Sequence, residues 1–463
     1  MTLWVPEIAS RPGPRYIAIA EAIAEAVATG DLAPGARLPT HRDLARALGV
    51  TVGTVTRAYA EAIRRDLVVG EVGRGSFVKP ARPGEKVAPI PKDPRVCDFA
   101  VNLPAEGGDE DEVRRALSEL AADEALMGLM GYPSDSDLLR PGRILARWAE
   151  SQGAPYAPER LAITSGAQNG LIAALMAVCH AGDTLLCDEL TYPGMKNLAR
   201  MLGIRLHGVA MDEGGMTVAA LDSAMAHQAP RAVYCVPNYQ NPTGTIWSRD
   251  RREALAAFAM RRGVWIIEDD VYGFLAEDSE RLPPLAALAP ERTIYVNSAS
   301  KAMAPGLRVG LVLAPAEILG AVSAGVRLST MAPSPLTLEI AVRWIDSGHA
   351  AAASRWHRTE ARARRAIALR ALAGFRVSGD QGSYHLWLNL PEPWRSDEFA
   401  SAAARAGVIV SAADHFLVGQ RASAAAVRLC LGGAKPRAKV EEGLTRLADL
   451  LSGDALPAYS SMP

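Results

Sequence analysis

The sequence predicts a multidomain chain. A small N-terminal domain is mainly α with a β hairpin. A larger α/β domain follows, built on a mostly parallel sheet, with a smaller α+β lobe at its C-terminal end. Three observations predict this. The chain has 463 residues, more than one hydrophobic core ordinarily organises. Helical periodicity and one Gly-rich hairpin fill the start, whereas the rest alternates β-rich runs with helical ones. Between them, residues 80–97, PARPGEKVAPIPKDPRVC, hold five prolines and read as an extended linker. The expected domains are therefore 1–79, the linker 80–97, and 98–463.

In order, YIAIAEAIAEAVAT (16–29) is a helix with Ile19, Ile23 and Val27 on one face. LPTHRDLARALGV follows, with Thr40 as N-cap, Leu44 and Leu48 facing inward and Gly49 ending the helix. TVGTVTRAYAEAIRR is the next helix, and its spacing puts Val52, Val55, Tyr59 and Ile63 on the buried side. Two helices joined tightly at a glycine make a helix-turn-helix. LVVGEVGRGSFV is a strand, a Gly-rich turn and a strand, which is a wing. Beyond the linker, RLAIT, DTLLCD, RAVYCVP, GVWIIED and RTIYVNS read as strands with helices between several of them, the rhythm of a parallel sheet covered on both faces. A long helix over roughly 336–371 and the strands GSYHLWLNL and AVRLCLG predict the α+β lobe.

Composition narrows the function classes. The apolar fraction is 49%, the charged fraction 22% and the net charge −1, as in a globular protein with no overall polyanion-binding field. Five scattered cysteines form neither a CxxC nor a Cys/His metal spacing, so a reducing cytoplasmic setting and no metal are expected. No secretory leader and no apolar run long enough to cross a bilayer is found, so no membrane partner is expected.

In open α/β sheets, ligands collect at the carboxyl ends of strands. Asp269 follows VWIIE, Asn241 opens NPTG, Ser165 and Gly166 follow LAIT and open a helix, and Lys301 follows IYVNSAS. Each alone has a plain explanation, as a cap, a turn, a helix start or a surface cation. Together, TSGAQ (164–168), NPTG (241–244), EDDVYG (268–273), SASKAMAPGLRVG (298–310) and VRLCLG (427–432) make the chain resemble the fold-type-I aminotransferases, which bind pyridoxal 5′-phosphate (PLP).

That resemblance implies PLP as cofactor and a role for each residue. Lys301 forms the Schiff base. Asp269 holds the pyridine nitrogen protonated, while Asn241 and Tyr272 donate to the ring 3′-oxygen. The phosphate falls to the backbone of Gly166 and Ala167, with Ser165 beside them, to the hydroxyls of Ser298 and Ser300, and to Arg308. Tyr192 stacks on the ring, Tyr132 reaches the phosphate of a partner subunit, and Arg428 grips the carboxylate of a substrate or effector.

LPTHRDLARALGVTVGTVTRAY and GRGSFV resemble the GntR-type winged helix-turn-helix. The resemblance implies that Thr51, Val52, Thr54 and Arg57 face the major groove of double-stranded operator DNA, with Arg42 and Arg74 suited to phosphate or groove contacts. Residues 1–80 carry ten Lys or Arg against eight Asp or Glu, a modest excess of the right sign. A GntR-type domain linked to an aminotransferase-like domain resembles the MocR subfamily of transcriptional regulators. This implies a homodimeric PLP-dependent regulator that senses PLP, an amino acid or an amine through an aldimine at Lys301, rather than a turnover enzyme. The alternative is a working aminotransferase with an auxiliary N-terminal domain.

Overall fold

The computed structural model describes residues 4–6, 8, 14–29, 32, 36–64, 67–71, 75–78, 95–105, 110–419 and 424–453. The chain divides into two compact units, Met1–Ala88 and Pro89–Pro463.

The first unit holds helices Arg15–Thr29, His41–Leu48 and Val52–Arg64 and the antiparallel pair Val68–Glu71 and Gly75–Val78. The Thr40 hydroxyl accepts from the Asp43 amide at 3.2 Å and opens the second helix. Gly49 closes it at φ 64°, a left-handed conformation suited to glycine. Ile19, Ile23, Leu44, Val55 and Val78 are fully buried, and Tyr59 is buried with its hydroxyl donating to the Pro39 carbonyl at 2.8 Å. Val52 and Ile63, expected on the buried side, are instead 46% and 47% exposed. The buried stripe is Val55, Ala58, Tyr59 and Ala62, because the small alanines let the helix lie close to its neighbours and rotate the larger ends outward. Leu44→Ala is expected to destabilise this unit by roughly 2–5 kcal/mol, read as an earlier thermal transition with the second unit's transition unmoved.

The second unit is organised by a seven-stranded sheet. In spatial order its strands are Leu161–Thr164, Gly310–Leu313, Thr293–Ser298, Trp265–Asp269, Ala232–Cys235, Thr184–Asp188 and Arg205–Val209. Gly310–Leu313 runs antiparallel to both neighbours and the other pairings are parallel. Alternate residues enter different cores. Leu185 and Cys187 pack with Leu171 and Ala174, and Leu186 packs with Trp247 and Phe258, so both faces are covered. Two strands escaped the sequence reading. Arg205–Val209 is an edge strand with a mixed, half-exposed face, and Gly310–Leu313 is four residues long directly after the Lys301 segment.

The helix expected over about 336–371 is two helices, Pro335–Asp346 and His349–Ala371. Gly348, at φ 81°, takes the left-handed conformation that breaks the run. Beyond them lies a four-stranded antiparallel sheet, ordered Val377–Ser378, His385–Asn389, Ala426–Cys430 and Ser411–Ala412, against helices Ser396–Arg405 and Arg437–Ser452. Cys97–Asp98 pairs in parallel with Val408–Ile409, so the end of the Pro-rich stretch is already woven into this lobe. Among the described residues no helix is long and apolar enough to cross a membrane, and no group of His, Cys, Asp or Glu could hold a metal ion.

Candidate cofactor and ligand site

A cavity of about 570 Å³ opens at the carboxyl ends of the central strands. Lys301 stands in it on the short helix Ala299–Ala302, which starts where the strand Thr293–Ser298 ends. Small neighbours are needed there, because Ser298 must cap the turn, its hydroxyl accepting from the Ser300 amide at 3.1 Å. The Lys301 Nζ donates to the Asn102 carbonyl, and the Lys301 carbonyl accepts from the Tyr384 hydroxyl at 3.2 Å. Burial pushes the Lys301 ammonium down to about 8. A lysine at that value is about one-quarter neutral at pH 7.5, against roughly one part in a thousand for an exposed lysine. That is the form able to attack a carbonyl.

Asp269 closes the strand Trp265–Asp269 and faces the same cavity. Its Oδ2 accepts from the Tyr234 hydroxyl at 2.9 Å, while its Oδ1 is buried without a partner. Burial raises its carboxyl to about 6, against the pull of the Tyr234 hydrogen bond. The neighbouring acids are held apart from it. Asp270 accepts from Asn238 at 2.6 Å and Tyr295 at 2.8 Å, and Asn238 in turn accepts from the fully buried Arg252 at 2.6 Å. Glu268 accepts from the amides of Leu285 and Ala286, and burial raises it to about 8.

Arg428, 6% exposed, donates from Nη1 to Asn241 Oδ1 at 2.7 Å and from Nη2 to the Ala100 carbonyl at 2.5 Å; its Nε is buried without a partner. With its oxygen occupied, Asn241 keeps its amide hydrogens available to the cavity. Tyr272 accepts from Asn102 Nδ2 at 2.7 Å, so its own proton is available too. Tyr192 also lines the cavity and donates to Gln168 Oε1 at 3.2 Å.

At one end the helix Ala167–Val178 begins beside Ser298, Ser300 and Arg308. Arg308 donates to the Ser300 hydroxyl and to the Ser165 carbonyl, each at 3.4 Å. Gly166 sits at φ 82°, and a Cβ there would meet Arg308 Nη2 at 2.8 Å, so only glycine lets the guanidinium lie against this helix start. A helix N-terminus, two hydroxyls and a guanidinium together suit a phosphate dianion. Ser165 and Gly166 flank the cavity without lining it, and the Ser165 hydroxyl donates to Thr330 at 3.4 Å.

The other expected site residues lie elsewhere. Tyr132 is 86% exposed and away from the cavity. Arg42, Thr51, Val52 and Arg57 are exposed on the helix-turn-helix. Thr54 is half-buried, and its hydroxyl pairs with that of Thr51 at 2.9 Å. Arg74 lies outside the described residues. Asn102, Gln168, Tyr234 and His385 were not expected. Gln168 closes the TSGAQ motif, whereas Asn102, Tyr234 and His385 come from distant segments that meet at the cavity, which no local motif announces.

Residues 95–447 match the family aminotransferase class I and II, and residues 15–78 match the gntR family of bacterial regulatory proteins. The chain is 28% identical to the HTH-type transcriptional regulator YdeF of Bacillus subtilis, over 97% of this chain and 96% of that one. It is 30% identical to the HTH-type pyridoxine biosynthesis transcriptional regulator PdxR of Corynebacterium glutamicum, over 64% of this chain and 65% of that one. In structure it is similar to LysN, the α-aminoadipate aminotransferase of Thermus thermophilus, solved with N-(5′-phosphopyridoxyl)-L-leucine. The TM-score is 0.70 at 25% identity, covering 78% of this chain and 92% of that one.

Aminotransferases of this class use PLP, and the cavity fits it on three counts. The unpartnered Asp269 Oδ1 matches a ring N–H, the amide of Asn241 and the hydroxyl of Tyr272 match a phenolic oxygen, and the Arg308 end matches a phosphate. With a gntR-type helix-turn-helix ahead of that domain, the chain belongs to the aminotransferase class I and II family in its regulatory branch, the MocR subfamily of bacterial transcriptional regulators.

Proposed function

We propose that this regulator senses PLP, an amino acid or an amine at Lys301 and passes the event to its DNA-binding domain. The observation that carries the reading is Lys301 itself. Its ammonium is lowered to about 8 in a cavity that also holds Asp269 and Arg428, on a chain that starts with a helix-turn-helix.

When bound, the cofactor supplies an aldehyde that reacts with primary amines. The chain's own residues do the rest. Asp269 would hold the positive ring nitrogen. Ser298, Ser300 and Arg308 would anchor the phosphate. Asn241, Tyr272 and Tyr192 would hold the ring. Arg428 would select ligands with a carboxylate, which its unpartnered Nε and remaining N–H groups can meet. Lys301 would supply the amine that meets the cofactor aldehyde, and its Nζ could hold a proton. Freeing Lys301 from the Asn102 carbonyl would give the ligand different contacts in two arrangements of the protein, the condition for allosteric coupling.

The regulator acts in the cytoplasm on double-stranded operator DNA. Thr51, Val52, Thr54 and Arg57 read bases, with Arg42 and Arg74 on the backbone. It works as a homodimer. Met127, Met130, Tyr132, Leu328 and Met331 are large apolar side chains left exposed in the second unit, which supports a partner copy there. Tyr132 then reaches the partner's phosphate end.

Borohydride reduction of the holo-protein followed by peptide mass analysis tests the reading. A cofactor adduct on Lys301 is expected; an adduct on no lysine would sink it. The cavity also retains every group a transaminase needs, so amino acid and 2-oxo acid are to be supplied together. Steady turnover would favour the enzyme over the sensor.

A further inference from the structure

His385 is fully buried at the start of the strand His385–Asn389 and joins segments that carry the site. Its Nε2 lies 2.9 Å from the Gln240 carbonyl, the residue before Asn241. A carbonyl only accepts, so Nε2 carries the proton. Burial lowers the imidazole to about 3, which keeps it neutral and leaves Nδ1 bare. Nδ1 lies 3.3 Å from the side-chain nitrogen of Asn102. A bare ring nitrogen needs a donor, so the Asn102 amide must present NH₂ on that side, where it also donates to Tyr272 at 2.7 Å. The amide is thereby turned one way. Its Oδ1 is left buried, with no partner, on a residue that lines the cavity and whose carbonyl receives Lys301 Nζ.

A buried acceptor without a donor costs free energy unless a ligand supplies one. The cavity has three buried polar atoms without a partner: the acceptor Asp269 Oδ1, the donor Arg428 Nε and the acceptor Asn102 Oδ1. The first matches a cofactor ring N–H and the second a carboxylate. The third is unclaimed. Resting on the reading of this cavity as an effector site, we propose that Asn102 is a specificity residue whose Oδ1 accepts a hydrogen bond from a side-chain donor of the effector, and that His385 is its positioning residue. The effector is then an amino acid with a hydroxyl, amide or similar N–H or O–H group rather than a purely aliphatic one.

The test uses full-length holo-protein and near-isosteric amino-acid pairs: L-asparagine with L-leucine, L-threonine with L-valine, and L-glutamine with L-methionine. The midpoint of the cofactor absorbance change is the readout. In at least one pair the donor-bearing member is expected to act at roughly 10- to 100-fold lower concentration. Asn102→Leu is expected to erase that preference. His385→Leu lowers the preference when Asn102 is present and changes nothing further when Asn102 is leucine, a non-additivity that a merely structural histidine would not give. Equal midpoints in all three pairs, or a preference that survives Asn102→Leu, overturn the proposal alone. No spectral response to any amino acid overturns the proposal, and no cofactor adduct on Lys301 overturns the sensor reading as well.

Discussion

Lys301→Ala is expected to leave the protein able to bind operator DNA and to abolish its response to amino compounds. The helix-turn-helix has its own core of Ile19, Ile23, Leu44, Val55 and Tyr59, so removing a side chain from a cavity of the other unit does not touch that core. The response is another matter. Lys301 Nζ is the amine that burial has brought to about 8, and its hydrogen bond to the Asn102 carbonyl ties the Lys301 helix to the segment Ala100–Leu103. Coupled sites ordinarily change each other's affinity about 5- to 150-fold. That factor should fall to one. DNA binding titrated with and without PLP and an amine measures it, and a full response from the alanine variant would remove Lys301 from the signal.

The second large effect is at Asp269. Asp269→Asn keeps the shape and removes the charge that faces the ring nitrogen. A hydrogen bond to a charged partner is worth about 1.5–3 kcal/mol, so cofactor affinity is expected to fall roughly 10- to 150-fold. The pH profile separates charge from shape. Burial raises the free Asp269 carboxyl to about 6, and a cationic ring nitrogen lowers it on binding. The ionised form binds, so Asp269 gives wild-type affinity a decline as pH falls below about 6, separate from the Lys301 titration near 8. The asparagine variant lacks that decline. Absorbance titrations of apo-protein at several pH values read both effects.

The residues that were legible in the sequence share a physical cause. Lys301, Asp269, Asn241 and Arg308 each sit in a short local motif, because a strand end and the turn after it must place one side chain with few alternatives. Asn102 and His385 were not legible. They are 283 positions apart, and the chemistry of each exists only through the other and through Tyr272. Tyr234 is hidden differently, as an ordinary β-rich position whose hydroxyl happens to reach Asp269. In the fold, apolar spacing located the third helix and its buried Val55 and Tyr59, but it placed Val52 and Ile63 beside them where Ala58 and Ala62 are buried instead. The single Gly348 was enough to divide a run that otherwise reads as one helix.

The most direct measurement follows operator binding and cofactor absorbance in the same titration of the full-length holo-protein with an amino acid that changes the spectrum. If Lys301 is the receiving end of a sensor, DNA affinity changes with the same midpoint as the absorbance. An absorbance change that runs to completion while DNA affinity stays constant would contradict the account.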